Sequence, residues 1–299
     1  MELRQLKYFL KTAQTLNFSE AARSLYITQS TLSQQIKALE DELGSPLFER
    51  DSHSVSLTES GERMIPLVKQ ILQDAESCKS QIMDLKEMLS GTLNIGATFS
   101  FSPLVKETIR NFIDRFPGVR LNVINRSMEE LMEMLRQREV DFVLAFKPDI
   151  LFDEIESQVL FEDRLSVIMK KNHPLAKREL ISPDEIKRHP LAIPAKGLQA
   201  RNMIDKYFNF LSGDFHVSLE VNSVYNLLEV VESSKLITVL SEATIRDKST
   251  LKAIPLDLPD KMQGCVHTLK KSYHKRSAEE FIKMLRESLA LEELSGKLA

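Results

Sequence analysis

Near the N-terminus, one stretch of helix-forming sequence presents polar side chains whose types suit hydrogen bonding to nucleic acid. No acidic residue occurs between positions 27 and 39. Glutamine, serine and threonine bond to base edges or phosphates, and a lysine neutralises a phosphate. These observations predict a DNA-reading face that consists of Gln29, Ser30, Thr31, Ser33, Gln34 and Lys37. The competing interpretation is a polar helix face that is only solvated.

The residues before and within this stretch predict the helix-turn-helix that would position the face. Ser19 is placed to cap a first helix, and Thr28 is placed to cap the second helix after a short connection. The small residues Ala21 and Ala22 permit the close crossing of two helices that this motif needs. The sequence therefore predicts two helices that meet across a tight turn.

A short β-wing is predicted directly after these helices. Residues 50–58 alternate apolar and polar side chains, and Arg50 and His53 are candidates for contact with phosphate or the minor groove. Residues 1–60 nevertheless carry six basic side chains against eight acidic ones. Because non-specific affinity for DNA comes mainly from phosphate neutralisation, we expect weak binding per chain and a need for two or more copies.

A long helix after the wing offers a way to bring two copies together. Apolar residues recur there at alternating spacings of four and three residues, as in the heptad seam of a coiled coil. Thr58 can cap the start of this helix. The predicted dimerisation residues are Met64, Val68, Ile71, Ala75, Cys78, Ile82, Leu85 and Leu89. The alternative is an amphipathic helix that packs on its own domain. In such a seam Cys78 serves as a small apolar residue.

From Gly91 onward, β-type runs alternate with amphipathic helices, which predicts a mainly parallel sheet with helices on its faces. The same alternation of strands and helices begins again near residue 165, so two similar α/β halves are expected. The predicted strands are 92–97, 119–124, 140–146, 165–169, 217–221, 236–240 and 265–269, and the predicted helices are 127–137, 201–210, 227–231 and 278–294.

A cleft between two such halves, bordered by strand ends and helix starts, is where small ligands bind, and helix starts favour anions. The candidate effector-binding residues are Thr98, Ser100, Ser102, Ser127, Phe146, Leu198, Gln199 and Arg201. Ser102 and Ser127 can equally be helix caps without a ligand. Arg201 suits a carboxylate through a bidentate contact, or it pairs with Asp205 in a surface ion pair. Phe146 is either an aromatic wall of the cleft or a plug at its hinge.

Composition and motif content exclude several classes of protein. The 299 residues suffice for about two domains, and neither a signal peptide nor an apolar membrane span is evident, so we expect a cytoplasmic protein without a membrane partner. The two cysteines are far apart and the six histidines show no ligand spacing, so no metal site is expected. Nucleophile-elbow, phosphate-loop and zinc-protease motifs are missing, so neither an enzyme nor a cofactor is expected.

Five segments together resemble the LysR-type transcriptional regulators. They are LRQLKYF at 3–9, NFSEAARSL at 17–25, ITQSTLSQQIKALE at 27–40, LGSPLFER at 43–50 and LTESG at 57–61. The resemblance extends over the whole chain and implies a homodimer or homotetramer on double-stranded DNA that a small molecule regulates, with RNA polymerase as a further candidate partner. Where family members often carry Arg or Lys, the wing tip reads Ser-His-Ser at 52–54.

The same resemblance implies a domain order. It gives a winged helix-turn-helix at 1–58, a linker helix for coiled-coil dimerisation at 59–90, and an α/β effector module at 91–299 that is similar to type 2 periplasmic binding proteins. Subdomain I would comprise about 91–161 and 265–299, and subdomain II about 162–264. Ser100, Ser127 and the stretch around Leu198 match positions that line effector pockets in the family. The alternative function is a small-molecule-binding adaptor or solute-binding module without sequence-specific DNA binding.

Overall fold

The structure is a computed structural model that describes residues 1–50, 54–84, 90–150, 152–208, 214–259, 261–270 and 272–288. The chain divides into two units, Met1–Lys86 and Glu87–Ala299, and each is considered by itself. In the described ranges, no helix is both long enough and apolar enough to span a membrane.

The first unit contains the predicted helix-turn-helix and wing. Its elements are α1 (Leu3–Thr15), α2 (Phe18–Ser24), α3 (Gln29–Leu43), β1 (Phe48–Arg50), β2 (Val55–Leu57) and α4 (Glu59–Asp84). Thr28 caps α3 as predicted, because its Oγ1 accepts a hydrogen bond from the Thr31 N–H at 3.2 Å. The prediction that Ser19 caps α2 is wrong. The cap is Asn17, whose Oδ1 accepts from the N–H groups of Ser19 (2.9 Å) and Glu20 (3.0 Å).

An aromatic and aliphatic core joins the helices of this unit to the wing. The ring of Phe48 lies 5.6 Å from the ring of Phe9, and Leu32 and Ile36 of α3 are fully buried beneath the polar face. Strands β1 and β2 pair antiparallel, as a wing requires. Glu40, the first acidic residue after the polar stretch, accepts hydrogen bonds from the backbone at the start of this wing.

Helix α4 is only partly available for a dimer seam. Val68 is fully buried in the core of its own unit, and Met64 is half-buried against that core. The structure therefore corrects the seam assignment of Val68, because the start of α4 packs on the core of its own unit, as the alternative interpretation proposed. The half-buried Met64 stays a predicted seam residue. Farther along, Ile71 and Ile82 are 37% and 57% exposed, Ala75 is half-buried and Cys78 is exposed. Leu85 and Leu89 lie outside the described residues.

The second unit begins with a five-stranded sheet in the order β4-β3-β5-β12-β6. Strand β3 runs parallel to β4 and β5, whereas β12 runs antiparallel to β5 and β6. This half of the unit contains β3 (Gly91–Ala97), α5 (Ser102–Arg115), β4 (Val119–Asn125), α6 (Met128–Arg136), β5 (Phe142–Phe146), β6 (Ile155–Asp163), β12 (Met262–Leu269) and α10 (Arg276–Arg286).

The other half has two smaller sheets. One is an antiparallel sheet in the order β10-β7-β11, and the other is the parallel pair β8-β9. Its elements are β7 (Leu165–Lys170), α7 (Pro183–Ile186), β8 (Leu191–Pro194), α8 (Gln199–Asp205), β9 (Val217–Val221), α9 (Val224–Ser233), β10 (Thr238–Ser241) and β11 (Leu251–Pro255).

The expectation of two similar, mainly parallel halves is therefore only partly correct. Strands β6 and β11 were not predicted, and both pair antiparallel with their neighbours. A single residue separates β6 from β7, so the chain passes from the first sheet to the second without the helical crossover that a parallel connection needs. The predicted helix at 201–210 is also shorter and begins earlier, as α8.

Candidate nucleic-acid interface and ligand cavity

Helix α3 brings the predicted polar residues to one surface. Gln29, Ser30, Thr31, Gln34 and Lys37 are exposed, and Ser33 is half-buried. The apolar residues of the same helix, Leu32, Ile36 and Leu39, are fully buried. This separation arises because apolar side chains recur at the helical period and turn the remaining positions outward. Helix α3 thus has the shape and polarity of a helix that enters the major groove.

Short hydrogen bonds order the start of this surface. The Oγ1 atom of Thr28 lies 2.9 Å from the Ser30 hydroxyl and 2.8 Å from the Thr31 hydroxyl. The Ser19 hydroxyl donates to Oε1 of Gln29 at 2.9 Å, which joins α2 to the first residue of α3. In the wing, Arg50 ends β1, and His53 lies outside the described residues.

The second unit contains a cavity of about 660 Å³ between the end of β3, the start of α6 and the loops before α8 and α9. Six of the eight predicted effector-binding residues line it, namely Thr98, Ser100, Ser127, Phe146, Leu198 and Gln199. These residues meet because they end or follow strands, or begin helices, where strands of the five-stranded sheet and of the β8-β9 pair end. The volume is within the usual range for a small-molecule site.

The hydroxyl of Ser127 lies at the N-terminus of α6, where this helix borders the cavity. Ser127 caps α6 by accepting from the Glu130 N–H at 3.3 Å, and the Glu130 carboxylate accepts from the Ser127 hydroxyl at 2.7 Å. The hydrogen bond from this hydroxyl lowers the pKa of Glu130, so this carboxylate is ionised at neutral pH. Ser127 therefore caps α6 as predicted and also lines the cavity.

Two of the predicted effector-binding residues are placed elsewhere. Ser102 is the first residue of α5 and makes no cap, because a short 3₁₀ helix at Phe99–Phe101 precedes it, and it does not line the cavity. Arg201 is 4% exposed and does not line the cavity either. The assignment of these two residues to the effector site is therefore corrected.

The buried side chain of Arg201 instead bonds to two partly exposed carboxylates and a backbone carbonyl. Its Nε donates to Asp205 at 2.6 Å, and its Nη1 donates to Pro194 O at 3.1 Å and lies 3.2 Å from Glu220 Oε2. The alternative pairing with Asp205 was correct, although the guanidinium is buried and not at the surface. Its hydrogen bonds to Asp205 and Glu220 raise its pKa against the opposing effect of burial.

Two other cations line the cavity and were not predicted. Arg126 follows β4 directly, and Lys196 lies in the loop after β8. The sequence signal for Arg126 was its place between a strand and the helix cap Ser127, where a side chain borders the ligand-binding edge of the sheet. Ser223 was also missed, although it caps α9 by accepting from the Asn226 N–H at 3.2 Å.

The apolar floor of the cavity is aromatic. Phe146 is 2% exposed and lines the cavity, and its ring packs edge-to-face on Phe101 and Phe161 at centroid distances of 5.5 and 6.0 Å. Ser241 also lines the cavity, and its hydroxyl donates to the buried carboxylate of Asp163, which also accepts from Ala243 N at 3.2 Å. Burial raises the pKa of Asp163.

Two family models cover most of the chain. Residues 3–62 match the family described as "Bacterial regulatory helix-turn-helix protein, lysR family", and residues 86–290 match the "LysR substrate binding domain". The chain belongs to the LysR family. It is therefore a DNA-binding transcriptional regulator with an effector-binding domain, and not an enzyme.

Curated LysR relatives match along most of their length. The transcriptional dual regulator GltC of Bacillus subtilis is 30% identical over 263 residues, which are 87% of this chain and 87% of GltC. A probable nitrogen assimilation transcriptional activator of Synechococcus elongatus is 27% identical over 83% of this chain and 81% of its own. The matched segments thus span more than four fifths of this LysR chain and of each of these relatives.

Solved LysR structures share the fold. A full-length OxyR from Pseudomonas aeruginosa superposes with a TM-score of 0.73 at 22% identity, over 99% of this chain and 96% of that one. Full-length CbnR in complex with its target DNA gives a TM-score of 0.67 at 18% identity, over 96% and 99% of the two chains.

The cysteines of this LysR chain differ in exposure. Cys78 is exposed on α4, whereas Cys265 in β12 is fully buried. Burial raises the pKa of the Cys265 thiol to about 11, so this thiol stays protonated and unreactive at neutral pH. Within the described ranges, no group of three or more His, Cys, Asp or Glu side chains could hold a metal ion.

Proposed function

We propose that this LysR-type regulator reads DNA with the exposed face of α3 and responds to a small anionic effector in the 660 Å³ cavity. The observation that carries the proposal is the amphipathic character of α3, in which the polar side chains of the reading face are exposed or half-buried and the apolar side chains are buried. Gln29, Ser33 and Lys37 span this face and are its central readers. Because DNA is the target, the proposed place of action is the cytoplasm.

The DNA-binding form proposed for the protein is a homodimer or a homotetramer. The charge of the first sixty residues makes the affinity of one chain for DNA weak, so several copies must bind together. Exposed apolar residues of α4 from Ile71 to Ile82 suit contact between two copies. The proposed domain order remains 1–58, 59–90 and 91–299, with RNA polymerase as a further partner at promoters.

The charge of the effector is inferred from the lining of the cavity. Arg126 and Lys196 contribute two cations, whereas the carboxylate of Glu130 is already bonded to Ser127. The helices α6 and α9 also begin at the cavity, and their free N–H groups favour negative charge. The hydroxyls of Thr98 and Ser100 add neutral hydrogen-bonding groups around this positive region.

DNA reading is tested with the variant Gln29→Ala, Ser33→Ala, Lys37→Ala in the full-length protein. DNase footprinting on the DNA upstream of its own gene should show protection by the wild type that this variant loses while retaining its circular dichroism spectrum. Lys37→Gln alone should weaken binding to all sequences and lower the slope of log affinity against log salt by about one. The matched control is Lys79→Gln, which removes an exposed cation from α4. Protection equal to that of the wild type by the triple variant would disprove the assignment.

The effector charge is tested by thermal unfolding in the presence of small carboxylates and phosphates at constant ionic strength. We expect stabilisation by at least one anion, and we expect Arg126→Gln and Lys196→Gln each to reduce it about tenfold in apparent affinity, as for a charge-assisted hydrogen bond. Lys177→Gln, which removes an exposed cation at the end of a 3₁₀ helix of the same unit, is the matched control. Stabilisation by neutral analogues alone would contradict an anionic effector.

A further inference from the structure

We propose that Ser19 is a positioning residue that determines which bases Gln29 reads. The inference rests on the proposed function, because it requires Gln29 to face DNA. It assigns to Ser19 a role in specificity that helix capping does not explain, since Asn17 is the cap of α2.

The hydroxyl of Ser19 is free for this role because of the local capping geometry. Oδ1 of Asn17 accepts from the Ser19 N–H, so the capping of α2 uses the backbone of Ser19 and not its hydroxyl. Its Oγ–H donates to Oε1 of Gln29 at 2.9 Å across a separation of ten residues. Both side chains are exposed at the surface, where a docked DNA duplex would exclude water and strengthen this hydrogen bond.

The chemistry of the side-chain amide makes this contact important for specificity. A glutamine reads adenine with two hydrogen bonds, in which its oxygen accepts from N6 and its nitrogen donates to N7. In this protein the oxygen of Gln29 already accepts from Ser19, which fixes the orientation of the amide before DNA arrives. The oxygen keeps a second lone pair, but the two-bond contact with adenine is weakened because Ser19, and not the base, sets that orientation.

The nitrogen end of the amide is then the group that Gln29 offers to DNA. Its N–H groups match the acceptors of the major groove, which are N7 and O6 of guanine, O4 of thymine and N7 of adenine. Adenine also presents its N6 donor beside N7, and the nitrogen end of the amide cannot accept from that donor. Cytosine presents a donor and is disfavoured. We therefore expect guanine or thymine, rather than adenine, at the base that Gln29 contacts in each half-site.

The test is selection of binding sites from a randomised duplex library with the full-length protein. The wild type should select guanine or thymine at one position that loses its preference in Gln29→Ala. Ser19→Ala should change the ratio of adenine to guanine or thymine at that same position by about threefold to tenfold, the range expected for one hydrogen bond. Ser19→Thr keeps the hydroxyl and should keep the wild-type ratio. Ser24→Ala, which removes a hydroxyl bonded only within α2, is the matched control and should change nothing.

Two results would overturn the inference. One is an unchanged base ratio in Ser19→Ala. The other is that Ser19→Ala changes the base ratio as much in the Gln29→Ala background as in the wild type, because an effect exerted through Gln29 must disappear when Gln29 is absent. A different result, in which Gln29→Ala alters no base preference at all, would remove Gln29 from the reading face and would overturn the proposed function at this residue as well. Circular dichroism of each variant verifies that α2 and α3 are folded.

Discussion

Replacing Arg201 distinguishes a structural residue from an effector ligand. The sequence allowed either role, whereas the structure places the guanidinium 4% exposed between two carboxylates and a carbonyl. Arg201→Met keeps most of the aliphatic stem and removes every donor. We therefore expect this variant to lose stability of the second unit and to retain its effector site.

The size of the loss follows from the partners. The carbonyl of Pro194 belongs to a buried strand and loses its bond to the guanidinium, which costs about 1–2 kcal/mol. The side chains of Asp205 and Glu220 are 38% and 46% exposed, so water replaces much of what they lose, and their two ion pairs together contribute about 1 kcal/mol. The sum of about 2–3 kcal/mol corresponds to a fall in melting temperature of about 5–10 °C for a unit of this size.

The assay is calorimetric unfolding of the full-length protein with and without a stabilising anion. Arg201→Met should melt 5–10 °C below wild type, by the same arithmetic, and should still respond to the anion. The comparison variant, Arg126→Met, should melt like wild type and should lose most of the response, because Arg126 lines the cavity and is exposed. A melting temperature of Arg201→Met close to that of wild type, combined with loss of the anion response, would refute this reasoning.

Three further predictions concern α4, the wing junction and a buried histidine. Val68→Asp should unfold the first unit, because Val68 is fully buried, whereas Ile82→Asp, at a position 57% exposed, should leave that unit folded and lower the oligomeric state in sedimentation velocity. Gly61→Ala should destabilise the same unit by about 2 kcal/mol or more in urea unfolding, since its Cβ would lie 2.2 Å from the Leu47 carbonyl oxygen. Burial lowers the pKa of His267 from 6.5 to about 4. As the pH falls between those values, the free energy of unfolding should therefore decrease by up to about 1.4 kcal/mol per pH unit, as measured by urea unfolding.

The sign of the pH effect follows from proton uptake. Between pH 6.5 and about 4 the unfolded chain binds a proton on His267 that the folded chain does not bind, so acid favours unfolding. Asp163 acts in the opposite direction. Burial raises its pKa, so the folded chain binds a proton on this carboxylate at a higher pH than the unfolded chain does, and acid favours folding through this group. Comparison with His267→Gln isolates the histidine, and an identical pH slope in the two proteins would contradict the prediction.

For α4, an Ile82→Asp protein with the native sedimentation coefficient would exclude this residue from the contact between copies.

The reading face could be predicted from the sequence because its pattern is local. Apolar residues at the helical period, a cap at Thr28 and an absence of acidic residues all lie within one helix. The cap of α2 could not be predicted with the same certainty, since Asn17 and Ser19 are both good caps and lie two residues apart. The choice depends on where the first turn begins, and this is set by the burial of Phe18 in the core.

The second unit shows where local pattern is insufficient. Strand β6 carries exposed polar residues between its buried ones, and its place in the sheet depends on pairing with β12, about a hundred residues farther along the chain. The role of Arg201 likewise depends on Glu220, which belongs to β9. The sequence supplied the helix starts that border the cavity, but which side chains face it was decided by contacts between distant segments.

Contacts next to the cavity join the two halves of the second unit, and a ligand can rearrange them at low cost. Three polar side chains on one face of α8 and just beyond it reach the half that contains the five-stranded sheet. Asn202 donates to Glu129 at 3.2 Å, Lys206 pairs with Asp149 at 2.8 Å, and Gln199 donates to the backbone carbonyl directly after β5 at 3.3 Å. Exposed contacts of this kind contribute little stability each. A differential binding energy of about 2.6 kcal/mol would change a 1:9 population of two arrangements to 9:1. A small effector that touches both α6 and α8 can supply that energy, so no large change in the fold is needed for regulation.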